Sequence, residues 1–297
     1  MAALVNRLAG FPVTSPRRLR LGLLLNLAGL FGLAVGLAVW LAERILPNDG
    51  AREALLASLM AGAATGIGAL ALAVLRRPDA GQLERFMLLA AGMMLAATAF
   101  ALLVPAVEVA IWPFALDVVV AAGAGALLMR ALDRALPHRH PADAGAGRGS
   151  RNALVLVVVA IAVHNLPEGF AVGAGFGGGA GFGWSTAASI GVQNIPEGLI
   201  VATALWSLGL RRRMAALGAL ATGLVEPVGA ALGIVASGIS VATLPMALGL
   251  AGGAMLFVVV HEAAPAALRA GPDAVARWRA AWPFAAGFAA MGLVGLV

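Results

Sequence analysis

The chain has 297 residues, of which 61% are apolar and 11% charged, and its mean hydropathy is +0.95. That balance excludes a water-soluble globule and makes the lipid bilayer the solvent. The net charge of +6 and the pI of about 11.5 would suit a nucleic-acid binder, but the placement of the basic residues assigns the charge to membrane topology instead.

A spanning helix needs about 20 mostly apolar residues. The apolar stretches here are long rather than alternating, which argues for an all-α bundle and against an outer-membrane barrel. Nine spans are predicted, at roughly 21–43, 53–75, 84–107, 112–136, 152–175, 184–208, 214–236, 241–267 and 280–297. The first run is longer than a signal-peptide core and is read as a span. With the N-terminus in the cytoplasm, 18 of the 20 Arg residues fall on the inner side and only Arg44 and Arg52 outside. This bias supports an odd number of spans, a cytoplasmic (inner) membrane location and a C-terminus outside. There is no cysteine, so a metal site must draw on His, carboxylate, amide or thioether donors.

In chain order, the third span carries Met94 and ends at Glu108. A membrane Met is ordinarily packing surface; as a thioether donor it would favour a soft or borderline metal. Asp133 closes the fourth span, and a cytoplasmic loop rich in Ala, Gly, His and Arg follows, with His138 and His140. The fifth span holds His164-Asn165-Leu166-Pro167-Glu168-Gly169, and 29 residues later the sixth holds Gln193-Asn194-Ile195-Pro196-Glu197-Gly198. The first and fifth residues of each copy lie on one helical face a turn apart. Each Pro removes a backbone donor and frees a carbonyl one turn back, at Val163 and at Val192. Adjacent antiparallel spans can bring the two copies face to face, so six polar side chains converge.

The seventh span contains Glu226-Pro227, and the eighth contains Met255 and His261-Glu262. Glu168, Glu197, Glu226 and Glu262 therefore lie inside apolar runs, where a carboxylate costs several kcal/mol unless paired, protonated or bound to a cation. No Arg lies within those spans to pair with them. The histidines run from the centre toward the cytoplasm, which suits a relay of ligands for a departing cation. Gly92-Met93-Met94-Leu95 resembles Gly253-Ala254-Met255-Leu256 in a span of opposite direction, a weak sign of an inverted repeat.

The His-Asn-x-Pro-Glu-Gly helix paired with a Gln-Asn-x-Pro-Glu-Gly helix, followed by Glu-Pro and His-Glu, resembles the ZIP (Zrt/Irt-like) metal transporters in their bacterial branch. The resemblance covers residues 53–297 or so and implies an eight-helix core of three-plus-two-plus-three helices with one extra N-terminal helix. The chain then divides into an N-terminal segment and extra helix (1–50), three core helices (51–136), the His-containing loop (137–151), two metal-site helices (152–210) and three last helices (211–297). The expected activity is transport of Zn2+, with Cd2+, Fe2+ and Mn2+ as further candidates, into the cytoplasm by alternating access, with no enzymatic reaction. The resemblance implies a first site of Met94, His164, Glu168, Gln193 and Glu197, and a second of Asn165, Glu168, Asn194, Glu197 and Glu226. It makes Glu108 an entrance acid and places Asp133, His138, His140, Met255, His261 and Glu262 on the exit side.

Two-metal members of that family often carry Asp where this chain has Asn194, so the second site is expected to be weaker here. Gln193 stands where many eukaryotic members have His, and its harder amide oxygen predicts broad selectivity. The partners expected are metal ions and lipid, without nucleic acid; a homodimer is left open. Two rival functions set against transport are an intramembrane metallohydrolase, for which the His-Glu-x-x-His helix is missing, and a proton-coupled carrier of organic solute.

Overall fold

A computed structural model describes residues 40, 49–73, 79–135, 151–240, 242–269 and 274–295. The described residues contain no strand and form eight helical spans in the predicted order. These are α1 (Asp49–Leu70, extended by a 3-10 turn over Ala71–Ala73), α2 (Ala80–Ala97, continued through Thr98–Leu103 and Val104–Glu108), α3 (Leu116–Ala135), α4 (Arg151–Gly177), α5 (Ala180–Ser207), α6 (Arg212–Gly223 and Glu226–Gly238), α7 (Thr243–Arg269) and α8 (Ala274–Gly295). Five of them meet the length and hydropathy of a membrane crossing: 49–73, 81–108, 158–177, 212–238 and 243–264. The span expected at 21–43 and the loop with His138 and His140 lie outside the described residues.

Small residues decide how these helices meet. On α1 the buried face is Ala51, Ala54, Ala57, Ala61, Gly62, Thr65 and Gly68, whereas Leu56, Met60, Ile67 and Leu70 are exposed. In lipid the large apolar side chains gain nothing by turning inward, so association rests on close backbone approach. α1 packs along α5, α4 along α6, α2 along α8 and α3 along α7.

The glycines at these crossings come in mated pairs. A Cβ on Gly62 would strike the Gly223 carbonyl, and one on Gly223 the Gly62 carbonyl. Gly68 abuts Ile195 as Gly229 abuts Leu166, and Gly198 abuts Thr65 as Gly169 abuts Glu226. In the outer helices Gly92 meets Phe284 as Gly253 meets Ala122, and Gly125 meets Leu250 as Gly287 meets Leu89. One exchange, α1 with α6, α2 with α7, α3 with α8 and α4 with α5, accounts for every pair. The architecture is therefore an inverted repeat of three-plus-two-plus-three helices.

Three local departures from plain helices matter. α2 loosens into a π-helix over Thr98–Leu103, just before Pro105, with the Val104 amide donating to the Ala99 carbonyl. The proline removes one donor from the ladder, and a re-registered turn re-satisfies the backbone. The Thr98 hydroxyl donates to the Met94 carbonyl at 2.7 Å. α6, predicted as one span, breaks at Leu224–Val225 and restarts with Glu226 and Pro227 in its first turn. A carboxylate at a helix N-terminus is favoured by the backbone dipoles there. Between α4 and α5 the chain turns within two residues, and Gly179 takes φ 109, a conformation that needs no Cβ.

The inner four helices are stapled at both ends. At the α4–α5 turn, Trp184 Nε1 donates to Glu53 Oε2 at 3.2 Å, and its ring meets Phe176 edge-on. At the opposite end Arg212 donates to the Leu72 carbonyl at 3.1 Å and stacks 4.6 Å over Trp206.

Candidate metal centre

The two copies of the Pro-containing motif sit midway along α4 and α5, and both helices remain helical through Pro167 and Pro196. Their polar side chains turn inward: His164, Asn165, Glu168, Gln193 and Asn194 are all buried, as is Glu226 on α6. Gln193 Nε2 donates to Glu168 Oε1 at 2.8 Å, tying α5 to α4. Asn194 Nδ2 donates to Glu226 Oε1 at 2.6 Å and to the Ala61 carbonyl at 3.0 Å, tying α5 to α6 and α1.

What these bonds leave over is a set of oxygen acceptors and one amide donor, Asn165 Nδ2. Glu168 Oε2, Glu197 Oε2, Glu226 Oε2, Gln193 Oε1, Asn194 Oδ1 and both polar atoms of Asn165 are buried without a hydrogen-bond partner. A buried polar atom left unmade costs about 1–3 kcal/mol, more when charged, so this cluster is unstable as it stands unless it meets a cation or protons. Among the described residues no three His or carboxylate side chains form a metal cage by themselves. The amide oxygens of Gln193 and Asn194 lie unpartnered in the same cluster.

A cavity of about 20 Å³ adjoins the cluster, room for one water-sized guest. His164, Gln193, Glu197, Met94 and Glu262 are among the residues that line it. His164 Nδ1 lies 3.8 Å from Glu262 Oε1. From there the cavity follows Ile161 on α4, Ile200 and Val201 on α5 and Met87 on α2. Each step leads toward the N-terminal ends of α2 and α4 and the C-terminal end of α5.

The structure thus brings Met94, His164, Gln193, Glu197 and Glu262 around one cavity, and gathers Asn165, Glu168, Asn194 and Glu226 in the buried cluster. Met255 instead packs in the apolar core with Met94, Met129 and Leu248 and does not line the cavity. His261 stacks on Phe257 with centroids 5.5 Å apart. Asp133 lies in the last turn of α3, and Glu108 is exposed at the far end of α2, on the opposite face of the bundle.

Several buried polar residues escape the sequence reading, among them Asp117 and Thr65. Asp117, in the first turn of α3, is buried; its Oδ2 accepts from the Ile111 amide at 3.1 Å while Oδ1 has no partner. Thr65 is buried on α1 against Gly198, its hydroxyl also without a partner. A single Thr in an apolar run carries no signal of its own. Only its mating with Glu226 under the repeat exposes it.

A polytopic helical bundle with a buried imidazole, carboxylate and amide cluster at mid-membrane defines the class of integral membrane proteins that handle cations. The profile described as ZIP Zinc transporter matches residues 133–295. The zinc transporter GufA of Myxococcus xanthus is 40% identical over 246 residues, 77% of this chain and 94% of that protein. The zinc transporter ZIPB of Bordetella bronchiseptica is 40% identical over 230 residues, 72% of each chain. The chain belongs to the ZIP zinc transporter family. Both relatives are named as transporters, which points away from an enzyme.

Proposed function

We propose that this protein carries Zn2+, and with it Cd2+, Fe2+ and Mn2+, across the cytoplasmic membrane into the cell. The observation that carries the reading is the cluster of unpartnered buried oxygens on Glu168, Glu197, Gln193, Asn194, Asn165 and Glu226 beside a cavity the size of one guest. Met94, His164, Glu168, Gln193 and Glu197 hold one ion. Asn165 and Asn194, with Glu226 and the inner oxygens of Glu168 and Glu197, form a second and weaker site. Mixed sulfur, nitrogen and oxygen donors bind a borderline ion firmly enough to strip its water, yet without the grip of an all-thiolate cage.

The helices divide into an inner group, α1, α4, α5 and α6, and an outer group, α2, α3, α7 and α8, with most packing inside each group. The cavity lies between them, lined by α4 and α5 on one side and by α2 and α7 on the other. Displacement of one group against the other opens the site alternately to the two faces. With the Arg-rich connections inside, the cavity leads to the cytoplasm, past Glu262 toward His261 and Asp133, and Glu108 stands at the outer entrance.

Zinc uptake into proteoliposomes tests this directly. Wild type should accumulate zinc, whereas His164→Ala and Glu197→Ala should each reduce the initial rate by about 10²-fold, the cost of one charged or strong donor at roughly 3 kcal/mol. Transport at the wild-type rate by both variants would remove the site from the pathway.

A further inference from the structure

We infer that the Thr65 hydroxyl is an oxygen donor of the metal centre, selecting for hard divalent cations such as Mn2+. The inference rests on the metal-site reading and adds a residue on a helix that this reading leaves without a ligand.

A buried Ser or Thr hydroxyl in a helix ordinarily donates back to a carbonyl one turn earlier. Thr98 does so to Met94, Thr186 to Phe182 and Ser237 to Gly233, whereas Ser58 and Thr203, like Thr65, have no partner. For Thr65 that carbonyl belongs to Ala61, and it is already engaged by Asn194 Nδ2 at 3.0 Å. Thr65 is 1% exposed and its Oγ1 has no partner. The same Asn194 amide that fixes Glu226 thus occupies the carbonyl one turn before Thr65, whose hydroxyl lies beside Gly223.

The repeat shows where that hydroxyl stands. Exchange of α1 with α6 carries Gly62 onto Gly223 and Thr65 onto Glu226. The Thr65 backbone abuts Gly198 of the α5 motif, as the Glu226 backbone abuts Gly169 of the α4 motif. The side chains match as well. Glu226 Oε1 is 3.2 Å from where a Cβ on Gly62 would lie, and Thr65 Oγ1 is 2.7 Å from where a Cβ on Gly223 would lie. The two oxygens therefore flank the same glycine crossing, one on each side.

Under that exchange the Asn194–Glu226 bond of 2.6 Å maps onto Asn165 and Thr65. Asn165 is 1% exposed with neither side-chain atom partnered. One half of the centre consequently offers a carboxylate already bound to an amide, and the other an amide and a hydroxyl awaiting a guest. Hydroxyl and amide oxygens are hard, neutral donors; they favour Mn2+ over the more polarisable Zn2+ and Cd2+, which gain more from His164 and Met94.

The test is competition by Mn2+ against zinc uptake in proteoliposomes of the full chain, with Thr65→Val, which keeps the shape and removes the oxygen, and Thr65→Ser, which keeps the oxygen. Thr65→Val should raise the Mn2+ concentration for half-inhibition by about tenfold relative to half-saturation by zinc; Thr65→Ser should match wild type. If Val at this position prevents insertion, Thr65→Ala removes the same oxygen with less bulk and must give the same shift. An unchanged Mn2+ to Zn2+ ratio in the Val or Ala variant overturns the role of Thr65, as does wild-type uptake indifferent to Mn2+. His164→Ala run in parallel separates the two levels. If it transports zinc normally, the metal-site reading itself fails; if it is inactive while Thr65→Val keeps the wild-type ratio, only the Thr65 inference falls.

Discussion

The α4 and α5 halves of the centre share a backbone and differ in chemistry. In both, a motif glycine lies against the backbone of a mated helix, Gly169 on Glu226 and Gly198 on Thr65. Around that common frame the α4 half carries His164, Asn165 and, across from it, the hydroxyl of Thr65, whereas the α5 half carries Gln193, Asn194 and the carboxyl of Glu226. The repeat thus fixes how closely helices approach, while mated positions are free to diverge wherever a side chain faces the guest instead of a neighbouring backbone. The divergence gives the centre a direction. His164 adjoins Glu262 and the cavity, and the Asn194–Glu226 bond ties α5 to the broken helix α6 and to α1.

The largest effect should come from attacking what the halves share. Gly169→Val and Gly198→Val each drive a branched side chain into a facing carbonyl, Glu226 in one case and Thr65 in the other. Over-packing of this kind costs on the order of 3 kcal/mol, so both variants should lose folded yield in detergent, as read by size-exclusion profile and melting temperature. Equal losses sharpen the equivalence of the two crossings. A variant that melts like wild type at one of them breaks it.

Most of this frame was legible in the sequence because its signals are local. Length and hydropathy located all eight described spans, and the doubled Asn-x-Pro-Glu-Gly pattern located the paired motifs. The break in α6 at Leu224–Val225 and the π-turn before Pro105 were missed, although each lies beside a proline. A proline announces a lost donor, but which neighbouring groups re-satisfy the backbone depends on the packed helices. Met255 occupies the repeat position of Met94 and packs in the same apolar core cluster, but only Met94 also lines the cavity. Thr65 and Asp117 became visible only once burial and hydrogen-bond partners were known.

A smaller effect is expected from exchanging chemistry between the halves. His164→Gln gives the α4 copy the donor of the α5 copy, trading an imidazole for a hard amide oxygen. Zinc affinity should fall about tenfold relative to manganese, the difference of one borderline donor, as measured by isothermal titration of purified protein with each metal. Gln193→His should shift the same ratio the other way. If both substitutions move the ratio in one direction, the halves do not differ in the manner their side chains suggest.

The smallest change concerns occupancy at Asn194. Glu168, Glu197 and Glu226 bring a formal charge of −3 to the centre; one divalent ion leaves −1 and a second leaves +1, an excess that a low-dielectric site disfavours. Asn194 adds a second obstacle, because its Nδ2 already holds Glu226 Oε1 at 2.6 Å, an oxygen that another ion would need. Asn194→Asp removes both at once. The added carboxylate lets two ions neutralise the centre, and with no amide donor Glu226 is released toward the guest. Zinc bound per chain at saturation, counted by elemental analysis, should therefore rise from about one toward about two, while the first binding constant moves by only a few-fold. A count unchanged by the substitution would mean that the steric frame of Gly62, Gly223 and Thr65, and not charge, limits the α5 half to its present load.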